Sequence, residues 1–252
     1  MGVIWRASAN GVSYEVRRRG SLLRLFANGV QHSEFHPERM VTGSVWDLLW
    51  LPALFHDPRR IQRVLVLGLG GGSLIPPLRR FVQPRDIVAV EKDPFHLHVA
   101  EKVFAIAGDD LQTVCADARE WVSQWQGEPF DLIVEDLFAP SDRTVSRAIK
   151  PSGRWFGALS RMLSPTGTLV MNFGDWQEFR DSPLARTSMQ RGWQGGFRFA
   201  TPDCHNAVVA WLREDSETGE LRDRLRGFPE LAAALDRRKL DYTVRRVFRR
   251  EG

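Results

Sequence analysis

Cysteine is nearly absent from this chain of 252 residues, which carries only Cys115 and Cys204. One disulfide is arithmetically possible. So little cysteine nevertheless excludes a disulfide-stapled scaffold and points to a reduced, cytoplasmic protein. Long apolar runs are missing too. The nearest approach to one, residues 45–55, is too short to cross a bilayer and carries Asp47, so no membrane contact is expected. The opening MGVIWRASANG lacks the apolar stretch of a secretion signal, and export is not expected either. No internal repeat or low-complexity linker interrupts the chain. Six histidines are present, but no pair has metal-ligand spacing on one helix face; His96 and His98 are two apart and diverge. No metal is expected. Cys204-His205 has no recognisable third partner, which leaves it a poor nucleophile pair.

Lysine is scarce as well. Lys92, Lys102, Lys150 and Lys239 are the only four among 35 basic residues, and the rest are arginine. The net charge is +4, with basic clusters at 222–226, 237–239 and 245–250. A basic face can attract nucleic acid. A solvated, helical C-terminal tail over 216–252 is the preferred reading of these clusters.

The rest of the chain reads as an α/β domain. With 43% hydrophobic and 26% charged residues it can bury a sizeable core. Residues 1–35 read as a β unit, with strands at 14–18 and 22–26 and an Asn28-Gly29 turn before Gln31. A helix is expected over 37–55, with Trp46 and Trp50 one turn apart and both assigned to the core. From Arg63 to about residue 215, short apolar runs alternate with helical stretches. Strands are expected at 64–67, 87–90, 111–115, 132–134 and 168–171, and helices at 73–81, 94–106, 118–125 and 153–163. A hairpin, 197–200 with 207–212, closes the edge. This pattern predicts a doubly wound, mostly parallel seven-stranded sheet behind the small N-terminal β unit.

Candidate chemistry gathers at the ends of consecutive strands, where open α/β sheets bind ligands. After the first strand the chain reads Gly68-Leu69-Gly70-Gly71-Gly72-Ser73. Glycines there let the backbone approach a ligand. The spacing is G-x-G-x-G. It is not the dinucleotide fingerprint, which needs glycine at 73, nor a phosphate loop or a nucleophile elbow. Glu91, after the second strand, can accept both hydroxyls of a ribose. Its alternative role, an acid at a helix start, is already filled by Asp93 before Pro94. Asp117, after the third strand, can accept from an adenine amine or cap the helix at Ala118. Together these make a nucleoside site. Asp136 ends the fourth strand and faces the same crevice, where a carboxylate can position a nucleophile and take its proton. Glu135 alternates to the other side of the sheet. Asn172-Phe173-Gly174 follows a strand and can line the crevice, but it is also a common type of strand-end turn.

These motifs resemble the spermidine synthase family of polyamine aminopropyltransferases over residues 22 to about 212. VLVLGLGGGSL resembles the family's VLVIGGGDGG element, and residues 130–140 align without gaps on its Y-D-V-I-I-V-D-S-S-D-P element. The resemblance implies a sheet of the class I S-adenosylmethionine (SAM) methyltransferase type. It implies Asp136 as catalytic base, Glu91 as ribose acid, Asp117 as adenine-side acid, and Gln31 as the glutamine ending the N-terminal β unit. Gly68, Gly70, Gly71 and Gly72 would cradle the donor. The departures are as informative. Gly71 and Ala139 stand where the family has aspartates that hold cationic amines. The family's G-P-A segment is replaced by Ser141-Asp142-Arg143, and an arginine there disfavours a polyamine. GLGGGSL also resembles the loop of spermidine-synthase-like methyltransferases. Gly71 would leave room and N–H groups for the carboxylate of intact SAM.

Three readings follow. The leading one is alkyl transfer, in this case methyl, from SAM to a small-molecule or protein acceptor positioned by Asp136. The second is aminopropyl transfer from decarboxylated SAM. The third is a non-catalytic nucleoside- or nucleic-acid-binding module. The resemblance allows a homodimer. Under the first two readings the chain binds an adenosyl thioether at about micromolar strength, on the order of −8 kcal/mol. Glu91→Ala is expected to weaken that binding at least tenfold by calorimetric titration while the fold persists; unchanged affinity would remove Glu91 from the ribose role.

Overall fold

The computed structural model describes residues 2–141 and 144–249. Its N-terminal part is an antiparallel meander of four strands in sequence order: β1 (Gly2–Ala9), β2 (Val12–Arg19), β3 (Leu22–Ala27) and β4 (Val30–Phe35). The turns are legible in the residues. Asn10-Gly11 and Asn28-Gly29 all take positive φ, the backbone that a two-residue hairpin of matching twist requires. The extra strand, β1, is absent from the sequence reading. Most of its side chains are exposed; its ladder with β2 holds it, together with Trp5, which packs on the core.

The helix expected over 37–55 is much shorter. Helix α1 spans Val45–Trp50, followed by a 3-10 turn at Leu51–Phe55. Upstream, the Asp47 carboxylate accepts the N–H groups of Thr42 and Gly43 at 2.7–3.1 Å, and Gly43 has φ +77°. That loop stops the helix from extending backwards. Pro52 tightens its far end, because it lacks the N–H an α-turn needs.

The main domain then alternates as expected. In chain order it comprises β5 (Arg63–Leu67), α2 (Ile75–Pro77), β6 (Asp86–Glu91), α3 (Pro94–His98), β7 (Leu111–Cys115), α4 (Ala118–Gln124) and β8 (Phe130–Glu135). Helices α2 and α3 each continue into a wider π-type turn, at Leu78–Val82 and Val99–Val103. A short hairpin follows, β9 (Phe138–Ser141) with β10 (Thr144–Arg147), then α5 (Gly153–Arg161), β11 (Leu163–Phe173), α6 (Trp176–Asp181), β12 (Gly195–Ala200) and β13 (Ala207–Leu212). The chain ends in α7 (Thr218–Gly227), α8 (Pro229–Asp236) and β14 (Thr243–Arg249).

The large sheet runs β14-β12-β13-β11-β8-β5-β6-β7. Strands β7, β6, β5, β8 and β11 are parallel, and β13, β12 and β14 are antiparallel additions. An apolar core lies on each face, one around Trp50 and Phe55 and the other around Phe156 and Trp211. After β7 the chain returns to the far side of β5. The switch point of the topology therefore falls between β5 and β8, where a ligand crevice is expected.

The sheet has eight strands and not seven. The eighth comes from the basic C-terminal segment, which sequence alone had suggested was a solvated tail. Val244, Val247 and Phe248 pack on the two cores. Its arginines find partners: Arg246 lies 4.5 Å above the Phe197 ring and pairs with Glu217 at 3.0 Å, and Arg249 pairs with Asp215 at 2.6 Å. Arginines at 245, 246 and 249 hid a strand in which Arg246 and Arg249 are neutralised locally. Among the described residues no helix is long and apolar enough to cross a membrane. Deleting residues 243–252 removes this edge strand and exposes apolar surface on β12; we expect the melting temperature to fall by at least about 5 °C in a thermal scan.

Candidate functional site

A crevice of about 580 Å³ opens along the C-terminal ends of the parallel strands, within the range of small-ligand sites. Gly68 and Gly70 line it from the β5 loop, Glu91 from β6, Asp117 from the end of β7, Asp136 from the end of β8 and Gln31 from β4. Gly71 and Gly72 do not. Gly71 donates its N–H to Ser33 Oγ at 2.6 Å, and a Cβ built on it would lie 2.8 Å from the Phe104 ring. Gly72, at φ +88°, faces Ile106 in the same way. Room for a donor carboxylate at Gly71, expected from sequence, is therefore filled by Ser33 and Phe104. Ala139 lines the crevice. Asp142 and Arg143 lie outside the described residues.

Gly68 sets the geometry. Its φ is +87°, and a Cβ there would sit 2.1 Å from the Asp136 carbonyl oxygen. No side chain fits, so the loop can cross directly over the end of β8. Gly68 N–H donates to Val90 O at 2.9 Å and Asp136 N–H to Leu67 O at 2.8 Å, which stitches the loop to both neighbouring strands.

Three of the lining acids are already held by the protein. Glu91 accepts from Gly70 N–H at 2.7 Å and Asp93 N–H at 2.9 Å, with His96 Nδ1 3.9 Å away. Burial pushes its carboxyl up, but His96 and the two N–H groups outweigh that and bring it below the usual range. The same contact, opposed by burial, raises His96. Asp93 accepts from Phe95 N–H at 2.8 Å and from the Tyr14 hydroxyl at 2.6 Å. Asp117 accepts from Arg119 N–H at 2.9 Å as the cap of α4 and meets Lys92 Nζ at 3.2 Å. Of the two uses weighed for Asp117, the helix cap is present and takes one oxygen, while Lys92 meets the other.

Asp136 differs. Its Oδ1 accepts from Asn172 Nδ2 at 2.7 Å, and Asn172 Oδ1 in turn accepts from Asn206 Nδ2 at 3.1 Å. Burial, with help from the charges of Glu135 and Glu91, outweighs the Asn172 bond and lifts Asp136 to about 6. A carboxyl with that value is ionised at neutral pH yet basic enough to take a proton. Glu135, as expected, points to the other face, where it is fully buried and pairs with Arg147 at 2.6 Å.

Sequence reasoning missed several lining residues. Asn172, which the sequence offered as a crevice-lining turn residue, does line it; its bond to Asp136 was not foreseen, and its signal is a polar side chain ending an apolar strand beside β8. Trp46 and Trp50, read as core, both pack there, but Trp50 is fully buried against Phe81 at 5.0 Å, while the half-buried Trp46 also lines the crevice. Tyr14, His32 and His96 line it as well. The rings of His32 and His96 lie 5.0 Å apart, and burial, helped by His96, drops His32 to about 4.

No family model matches the chain. In sequence it is 30% identical over 164 residues to the eEF1A lysine and N-terminal methyltransferase of Danio rerio, covering 62% of this chain and 23% of that one. It is 30% identical over 158 residues to polyamine aminopropyltransferase 2 of Ralstonia nicotianae, covering 59% and 29%. The chain thus spans about a quarter of the length of these relatives. In structure it is similar to a spermidine synthase in complex with the transition-state analogue AdoDATO, with TM-score 0.66, 13% identity and coverage of 94% and 87%. It is also similar to human methyltransferase-like protein 13 in complex with SAH, with TM-score 0.58, 21% identity and coverage of 77% and 91%. The resemblance to spermidine-synthase-like SAM transferases is borne out, and the fold is the one it implied.

Because the Asp136 carboxyl is raised, its charge opposes folding. The stability cost is absent below the unfolded value near 4, grows between there and about 6, and is constant above. Asp136→Asn keeps an acceptor for Asn172 and is expected to stabilise the protein at pH 7.5 by roughly 2–3 kcal/mol, with the gain vanishing by pH 4. A variant less stable than wild type at pH 7.5 in urea titrations would show that Asp136 is not a strained, desolvated acid.

Proposed function

We propose that this chain, a relative of polyamine aminopropyltransferases and of SAM methyltransferases, is a transferase. It binds SAM in the crevice and transfers the methyl group to a nucleophile that Asp136 positions and deprotonates. The observation that carries this reading is Asp136 itself: a buried carboxyl at the switch point, raised to about 6 and oriented through one oxygen by Asn172.

The residues present fit an adenosyl donor. Glu91 is anchored by backbone N–H groups and keeps lone pairs for ribose hydroxyls. Gly68 and Gly70 give close backbone approach, and Asp117 stands on the adenine side. When bound, the sulfonium supplies an electrophilic carbon and a neutral thioether leaving group, so no acid is needed. Asp136 then has one task, alignment and deprotonation of the acceptor. The acceptor is a small molecule or a protein side chain. Methyl transfer is favoured over aminopropyl transfer because Gly71, like Ala139, replaces an acid that would hold a cationic amine. Ala139 stands where the aminopropyltransferases have a further acid. The second reading, aminopropyl transfer, is favoured by the equal identity to the Ralstonia enzyme.

Thioether release separates the two. With SAM and an acceptor pool containing amines and peptides, S-adenosylhomocysteine should form, at a rate that falls as pH drops through about 6. Asp136→Asn should slow it about 10²-fold. Faster release of methylthioadenosine from decarboxylated SAM and putrescine would hand the assignment to aminopropyl transfer.

A further inference from the structure

Directly behind Asp136, on the opposite face of the sheet, lies a buried ion pair that the proposed chemistry does not use. Glu135 is fully buried and the Arg147 side chain is 4% exposed. Arg147 Nη2 donates to Glu135 Oε1 at 2.6 Å, Nη1 donates to the Asn172 carbonyl, and Nε donates to Ile149 O at 3.2 Å. Trp155 Nε1 also donates to Glu135 Oε1 at 3.2 Å. Glu178 reaches Arg147 Nε at 3.5 Å, and the guanidinium lies 5.2 Å from the Phe173 ring centre.

We propose that Arg147 is a positioning residue: it holds β8 and β11 in the offset that sets the Asp136–Asn172 hydrogen bond, and it ties the base of the β9–β10 hairpin to the crevice.

The case is geometric. One guanidinium grips one acceptor from each strand, Glu135 on β8 and Asn172 on β11. Those are the residue before Asp136 and the residue whose amide orients it. In the β8–β11 ladder, Glu135 pairs with Met171, so the next residues along are Asp136 and Asn172. Their 2.7 Å bond depends on strand offset, and a shift of about an ångström would break it. Arg147 is also the ladder partner of Phe138, and Phe138 and Ala139 line the crevice. A buried ion pair is a poor way to gain stability, since apolar residues of similar volume do as well. Fixed directions are what the planar guanidinium adds, and a lysine does not supply them.

The catalytic consequence rests on the reading of Asp136 above, but the positional claim can be read without turnover. The double variant Glu135→Leu/Arg147→Met replaces the pair by apolar groups. It removes a charge that raises Asp136 and a weaker influence that lowers it, so the charges alone would shift the titration down and an upward shift reports lost position. The readouts are melting temperature, the carboxyl ¹³C titration of Asp136 (assigned with Asp136→Asn), S-adenosylhomocysteine affinity, and turnover. We expect a melting temperature near that of wild type and thioether affinity changed less than threefold. Without the Asn172 bond that holds it down, the Asp136 titration should move above about 6, opposite to the shift that removing the charges alone would give. Turnover should fall at least 30-fold with KM for SAM little changed. Arg147→Lys should show the same titration shift. A folded double variant with the wild-type titration overturns the proposal, and so does one that fails to fold, because the pair is then required for the fold itself. If the titration moves but wild type transfers nothing from SAM, the proposed function fails while the positioning role stands. If wild type transfers methyl and the double variant transfers it equally well, the reverse holds.

Discussion

No side chain can occupy position 68. The β5 loop crosses the end of β8 so closely that a Cβ would lie 2.1 Å from the Asp136 carbonyl oxygen, and the rest of the site depends on that crossing. It lets Gly70 reach Glu91, whose carboxylate then holds the loop down by accepting the Gly70 N–H. It also leaves the end of β8 covered by backbone and not by side chain, so that Asp136 looks into a crevice. One residue without a Cβ at the topological switch point therefore makes both the cradle for a nucleoside and the burial of the carboxyl beside it.

Burying carboxylates at strand ends costs free energy unless each has partners. The structure meets that cost unevenly. Glu91 and Asp117 are held by N–H donors and a nearby base, and both lie below the usual carboxylate range. Their charge is fixed and suited to recognition. Among the described residues Asp136 has a single side-chain donor, Asn172, and burial raises its carboxyl. Its charge is the costly one, and such a group is suited to accept a proton. On the other face, Glu135 has the better ion partner in Arg147, yet burial still raises it. Adjacent residues on one strand thus divide between crevice and core.

Much of this was legible beforehand. The buried parallel strands announced themselves as apolar runs; the run read at 64–67 is β5 and that at 132–134 lies in β8, while the edge strand β7 matches the expected 111–115. The strand ends followed, and with them Gly68, Gly70, Glu91, Asp117 and Asp136 on the crevice lining. What escaped has physical reasons. β14 carries arginines whose partners, Asp215 and Glu217, lie about thirty residues away in sequence. The helix at 37–55 was cut short by a side chain-to-backbone loop around Asp47, which no periodicity reveals. Gly71 was placed by family likeness, but the direction of its missing side chain depends on Ser33 from a separate sheet. Asn172 is one polar residue at a strand end, and its meaning depends on which strand lies beside it.

The central claim is that the crevice seats an adenosyl group with its ribose at Glu91 and its reactive end at Asp136. A crystal structure of the protein with S-adenosylhomocysteine tests it most directly. The account predicts ribose hydroxyls within hydrogen-bond distance of the Glu91 carboxylate and the thioether sulfur facing Asp136. A nucleoside bound elsewhere, or seated with its sulfur turned away from Asp136, would contradict it.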